Sequence, residues 1–283
     1  MYNFIMLAQN NDITDYVLQA SLCAMSIKKS MPRASVAVIT DDVVPTTFKQ
    51  FFDHIVPIPW GDSAAGEEWK IHNRPKIIHA SPYDEAVILD TDMLMLTDVS
   101  TQIEYMRKYE IFYTDRVLDY RGNVVSSDFY RKLYTKHNIP SLYTAFSYFR
   151  KSDFSFKFYE MLNLVTENWQ DFYKVNGSLI QKRASMDTTV GLVTRMLDCE
   201  QQVTATTAEG FKPTFVHMKP NIQGWQRLSE QWTTKVGYYL NKRLDLYIGN
   251  YKQEGLFHYT DKTFINPHIM KQYCDYHGVR YEV

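Results

Sequence analysis

Residues 86–94 read Ala86-Val87-Ile88-Leu89-Asp90-Thr91-Asp92-Met93-Leu94. Four apolar residues in a row, preceded by the turn-forming Ser81-Pro82-Tyr83-Asp84, predict a strand buried on both faces. The strand delivers two carboxylates, two positions apart, at its C-terminal end, where open α/β sheets bind ligands. Residues i and i+2 of a straight strand share a face, so both can approach one hard cation where the strand ends. An Asp-x-Asp also arises by chance, and strand ends favour Asp for solvation, so the tripeptide alone assigns no function.

Working outward, the N-terminal third alternates strand and helix patterns. Buried strands are predicted over 4–8 and 36–40 and a third strand over 54–58, with helical stretches over 13–29, 46–52 and 73–80 and a polar loop over 61–66. Pro75 is compatible with the first turn of the last helix. Such alternation implies a mostly parallel sheet covered on both faces. Further on, 110–113, 142–149 and 214–217 read as strands, and 154–168 and 187–197 as amphipathic helices. Residues 226–283 mix both signals and are expected to wrap the main domain.

Composition narrows the classes. With 31 basic against 32 acidic residues in 283, the chain is not a basic scaffold built around nucleic acid. Its 45% apolar fraction supports a sizeable core, and the 15% aromatic share supplies rings for a core or for stacking a flat ligand. Cys23, Cys199 and Cys274 form no Cys-x-x-Cys pair, so zinc or thiol-exchange motifs are absent and a reducing compartment is expected. The first ten residues have no basic n-region, and their apolar stretch is far below the ~20 residues of a membrane span. The expectation is a cytoplasmic protein.

Two further stretches carry chemistry-bearing residues. Ser185-Met186-Asp187-Thr188 places an acid at a helix start, where it either caps helix amides or faces a ligand. His217-Met218-Lys219-Pro220-Asn221-Ile222-Gln223-Gly224-Trp225 follows a strand, and a histidine there is either packed or a metal ligand.

With these residues in this order, residues 1–225 resemble the retaining sugar-nucleotide glycosyltransferases of the A-type fold, the group of glycogenin and the bacterial lipopolysaccharide galactosyltransferases. The resemblance implies an α/β fold with a Rossmann-like, mostly parallel central sheet flanked by helices, and residues 226–283 as a C-terminal extension packed on that domain. It implies that Asp90 and Asp92 hold Mn²⁺ (or Mg²⁺) against the diphosphate of a UDP-sugar, with Asp90 and Thr91 lining the donor. The family's acid beside the anomeric carbon falls on Asp187, which would stabilise the oxocarbenium-like transition state. His217 is the first choice for the third metal ligand and His258 the second. The family's phosphate lysine has no match within 217–225, leaving Lys219 or Lys262 to serve. Arg74 and Lys76 are the basic residues before the metal strand, and Ala8, Gln9 and Asn10 fall where the family contacts uracil and ribose. Thr144-Ala145-Phe146 departs from the family's Asn-Ala-Gly.

The acceptor is a free hydroxyl, on a saccharide or, if the similarity to bacteriophage enzymes extends so far, on a hydroxymethylcytosine of DNA. In the second case Arg131-Lys132, Lys136, Arg150-Lys151, Lys182-Arg183 and Lys242-Arg243 would grip phosphates. Two other functions compete. A haloacid-dehalogenase-like phosphotransferase also uses Asp-x-Asp after a strand, and a non-catalytic sugar-nucleotide-binding protein could share the fold.

Overall fold

The computed structural model describes residues 1–68, 70–125, 131–175, 183–205, 211–219 and 231–281. The predicted boundary at 225/226, the stretch Pro220 to Trp225 and Lys182 lie outside the described residues.

The strand ahead of Asp90 is β4 (Glu85–Leu89), and it pairs in parallel with β1 (Asn3–Leu7). On the other side β1 pairs in parallel with β2 (Ser35–Ile39), which pairs with β3 (His54–Val56). Beyond β4 the sheet turns antiparallel: β8 (Tyr143–Arg150) pairs with β4, and β6 (Ile111–Thr114) with β8. The order β3-β2-β1-β4-β8-β6 makes the sheet mixed but mostly parallel, an α/β architecture with helices on both faces. The chain first builds to one side of β1 and then crosses to the other, so β1 and β4 flank the switch point at which such sheets open a crevice.

Alternation along the strands builds two cores. Phe4, Met6, Val36, Val38, Val87 and Leu89 face α1 (Tyr16–Ser30). Ile5, Ala37, Ile39, Ala86 and Ile88 face the residues of Asp153–Glu167 and Met186–Met196. Helix α1 starts later than its periodicity suggests because Asp15 caps it, accepting from Leu18 N at 2.8 Å; Lys28 and Lys29 end it favourably for the helix dipole. The segment expected to be helical over 46–52 is only α2 (Thr46–Lys49), and Pro57 follows the end of β3 at Val56. Pro75 lacks an amide hydrogen, and the turn around it, Ile71–Lys76, is 3₁₀ before α3 (Ile77–Ala80) takes over.

A second sheet was not foreseen. It joins β5 (Met93–Met95), β7 (Val117–Leu118), β9 (Phe215–His217) and β13 (Leu256–His258) in the order β5-β13-β9-β7. Between β9 and β13 the chain adds a small antiparallel sheet of β10 (Tyr238–Leu240), β11 (Leu246–Ile248) and β12 (Tyr251–Lys252), and it closes with the helix Pro267–Tyr276. The three cysteines are buried free thiols. Among the described residues no helix is long and apolar enough to cross a membrane.

Two contacts make testable statements about this packing. A Cβ on Gly191 would meet Ile139 Cγ2 at 2.6 Å and the Pro140 carbonyl oxygen at 2.7 Å. Alanine is the better helix former by about 1 kcal/mol, but the carbonyl belongs to the backbone and cannot rotate aside. Gly191→Ala is therefore expected to lower stability by about 1–3 kcal/mol, read from the urea midpoint. Glu85 accepts from Tyr148 Oη and Arg107 Nη2, each at 2.6 Å. Burial pulls its pKa up, but these partners outweigh burial and hold it below the usual value. A carboxyl depressed on folding adds stability above its unfolded pKa of about 4.3 and loses it as pH falls through the folded value. Glu85→Gln should flatten the acid limb of the stability profile below about pH 4.3, measured by thermal unfolding at stepped pH.

Candidate functional site

Register assembles the site. In the second sheet, β13 runs parallel to β9 with His258 beside His217, and antiparallel to β5 with His258 opposite Met93. Asp92, the residue before Met93, therefore meets the end of β13, and its carbonyl accepts from Tyr259 N at 3.2 Å. His258 Nε2 lies 3.1 Å from Asp92 Oδ1, and Lys262 Nζ donates to Asp92 Oδ2 at 2.7 Å. Asp261 fixes the turn that carries Lys262. One of its oxygens accepts from Thr263 N and Oγ1, the other from Thr233 N and Oγ1.

One ligand atom each from Asp90, Asp92 and His258 lie within 4.8 Å of one another. These are the metal-ligating types grouped among the described residues. His217, the first choice from sequence, stands one ring further back. It stacks on His258 with centroids 4.9 Å apart and planes 14° from parallel. The lysine that reaches the carboxylates is Lys262; Lys219 lines the same cleft from the other chain segment.

Electrostatics follow from burial and partners. Burial alone would raise the Asp92 pKa, but His258 and Lys262 hold it well below the usual carboxylate range. Burial would lower the His258 pKa, and Asp92 reverses the sign and raises it. His217 is driven well below its usual value by burial, with His258, Lys219 and Arg131 adding repulsion. Across the cleft Asp90 pairs with Arg74, whose Nη2 also donates to Thr144 O at 3.3 Å. The result is a row of carboxylates already matched by cations.

The cleft they line holds about 300 Å³ at the β1/β4 switch point, with Gln9, Tyr16, Thr91 and Asp187 on its walls. Thr91 is buried and its Oγ1 donates to Gln19 Oε1 at 3.3 Å. Three sequence candidates lie elsewhere. Ala8 is buried with its N bonded to Ile39 O. The Asn10 side chain turns back to accept from Val17 N at 3.0 Å. Lys76 points to the other face of its turn, donating to Gly61 O at 2.5 Å, because neighbours in a tight turn face different ways.

Asp187 does not cap its helix. The helix Met186–Met196 opens behind Ser185 without a side-chain cap, and Asp187 Oδ1 accepts instead from Thr144 N at 2.9 Å and Thr144 Oγ1 at 2.7 Å. Its second oxygen is 3.2 Å from Arg131 Nη2. Arg131, read from sequence as a DNA-phosphate contact, is buried. Its guanidinium lies 3.9 Å from the Tyr134 ring centre and 4.0 Å from that of Tyr143, and it donates to Leu142 O at 2.9 Å. That corrects the reading, since a buried cation between two rings cannot reach a phosphate backbone. Neither Thr144 nor Arg131 carries a local sequence signal of its pairing with Asp187.

No protein-family model matches the chain, and a comparison with curated proteins finds no match. Among solved structures, the galactosyltransferase LgtC in complex with donor and acceptor sugar analogs superposes with a TM-score of 0.48 at 10% identity, over 72% of this chain and 73% of that one. Mouse xyloside xylosyltransferase 1 in its apo form gives 0.45 at 9% identity, over 72% and 84%. The glycosyltransferase GlyE of Streptococcus pneumoniae gives 0.40 at 8%, over 73% of this chain and 46% of that one, so the match spans under half of GlyE.

Removing the Arg131 charge tests the Asp187 clamp. Arg131→Met keeps an apolar stem between the two tyrosines but strands a carboxylate that is 31% exposed. The expected loss is about 2 kcal/mol in urea unfolding, below the cost at a fully buried pair. Arg131→Lys should recover only part of it, because an ammonium lacks the planar fork that stacks on both rings.

Proposed function

We propose that the protein is a metal-dependent glycosyltransferase, moving a sugar from a UDP-sugar to a hydroxyl of a saccharide acceptor. The observation that carries this reading is the grouping of Asp90, Asp92 and His258 ligand atoms within 4.8 Å, in a cleft at the sheet's switch point. The donor set fits Mn²⁺ or Mg²⁺: two carboxylates and an imidazole are hard and borderline ligands. Bound there, the ion would neutralise charge developing on a departing diphosphate.

The chain's own residues would do the rest. Arg74 and Lys262 balance Asp90 and Asp92 in the present arrangement, and both are placed to turn to an anionic donor as the carboxylates turn to the metal. Lys219 adds a third cation to the same wall. Gln9, following β1, is set by Asn73, whose Nδ2 donates to Gln9 Oε1 at 2.7 Å, and would meet the nucleoside end. Asp187, clamped by Thr144 and Arg131, presents a fixed carboxylate to the positive charge that builds on the sugar ring. Retention of anomeric configuration rests on the family resemblance alone. A saccharide acceptor is preferred to DNA because burial removes Arg131 from the basic pairs that would have gripped phosphate.

The test is UDP release from a panel of UDP-sugars, with EDTA and with added Mn²⁺. Release should require the metal and fall about a hundredfold or more in Asp90→Asn and Asp92→Asn. Lys262→Ala should weaken donor binding by about 2 kcal/mol, seen as a higher KM. Metal-independent turnover, or wild-type rates in both Asn variants, would sink the assignment.

A further inference from the structure

Arg74 faces the cleft, but the next two residues of its turn face away from it. Pro75 and Lys76 line a second cavity of about 410 Å³, bounded by Trp60 and His79 on one side and by the helix Asp153–Glu167 on the other. We propose that this cavity binds a neutral saccharide, at a site separate from the carboxylate cleft.

Trp60 is the first ground. Its φ of +61° lies in the left-handed region, disfavoured for a residue with a Cβ, and its side chain is 75% exposed. A large apolar ring held open in a strained backbone gains little from packing, and such strain collects at ligand sites. Its edge meets His79, with centroids 5.0 Å apart and planes at 63°, and His79 is backed by Phe156 at 5.3 Å. Burial lowers the His79 pKa, so this wall is neutral near pH 7. A pyranose presents a face of C–H bonds that suits such a ring.

The facing wall is the second ground. Glu160, Asn163 and Glu167 recur at i, i+3 and i+7 and share one face of their helix. Asn163 Nδ2 donates to Glu167 Oε1 at 2.9 Å, which orients both. Lys76 Nζ donates to Gly61 O and has further protons to give. Sugar hydroxyls donate and accept at once, and this wall offers both carboxylate acceptors and ammonium and amide donors. Two carboxylates oppose a phosphate or nucleotide, while the Lys76 ammonium opposes an organic cation. The volume suits about one or two sugar rings.

The test is saturation-transfer difference NMR on the full chain with lactose, maltose and cellobiose in turn, in EDTA, so the result does not depend on whether the cleft turns over a donor. Transfer to ring protons of at least one sugar is expected. It should persist with UDP present, weaken roughly tenfold in apparent affinity in Trp60→Ala, and survive in part in Trp60→Phe. Glu160→Lys, on an exposed helix face, should weaken it as well and guards against a folding defect in the first variant. The proposal is overturned by no transfer to any of the three, by transfer undiminished in both Trp60→Ala and Glu160→Lys, or by loss of transfer on adding UDP. Trp60-dependent binding of tetramethylammonium in place of sugar overturns it in favour of a cation site.

Discussion

Asp92 is the joint on which the molecule turns. A buried carboxylate is expensive unless it is paired, and its partners, His258 and Lys262, come from a segment about 170 residues further along the chain. Their contact closes the second sheet against the end of β4, through the pairing of β5 with β13. The described part of the last fifth of the chain, residues 231–281, thus supplies both of these partners. Without it Asp92 would lose both charged partners, and the cleft would lose one wall.

Under the proposed function, the same joint also lets a chain with a formal charge of −1 offer cations to an anionic donor. Charge is arranged locally: Arg74 sits on Asp90, Lys262 on Asp92 and Arg131 on Asp187. Under the proposed function, the cations on Asp90 and Asp92 are the ones a phosphate could recruit in the carboxylates' place. Only the Arg131 pair is walled off from such exchange, by Tyr134 and Tyr143.

Legibility in the sequence follows how local the determining physics is. Three of the parallel strands, β1, β2 and β4, were readable because a strand buried on both faces needs an unbroken apolar run, as Val36 to Ile39 and Ala86 to Leu89 provide, while β3 is an exposed edge strand. The position of Asp90 and Asp92 at a strand end followed directly. Of the second sheet only β9 was readable, in 214–217; the other strands are two or three residues long, too short for any periodicity, and the four come from distant parts of the chain. The choice between His217 and His258 is not legible locally for the same reason. Both end a short strand, and only the pairing of β13 with β5 says which one lies over Asp92.

Asp187 shows the converse limit. At a helix start the cheapest use of a carboxylate is to cap the exposed amides, and local sequence can propose nothing else. The structure gives its oxygens to Thr144 and Arg131 instead, and the helix N-terminus goes without a side-chain cap. A helix of eleven residues packed by Val190, Leu192 and Val193 into the core can forgo the roughly 1 kcal/mol that a cap supplies. Tertiary packing thus frees the acid for the cleft. Thr144 holds that acid from both its amide and its hydroxyl, which fixes one oxygen and leaves the other to Arg131.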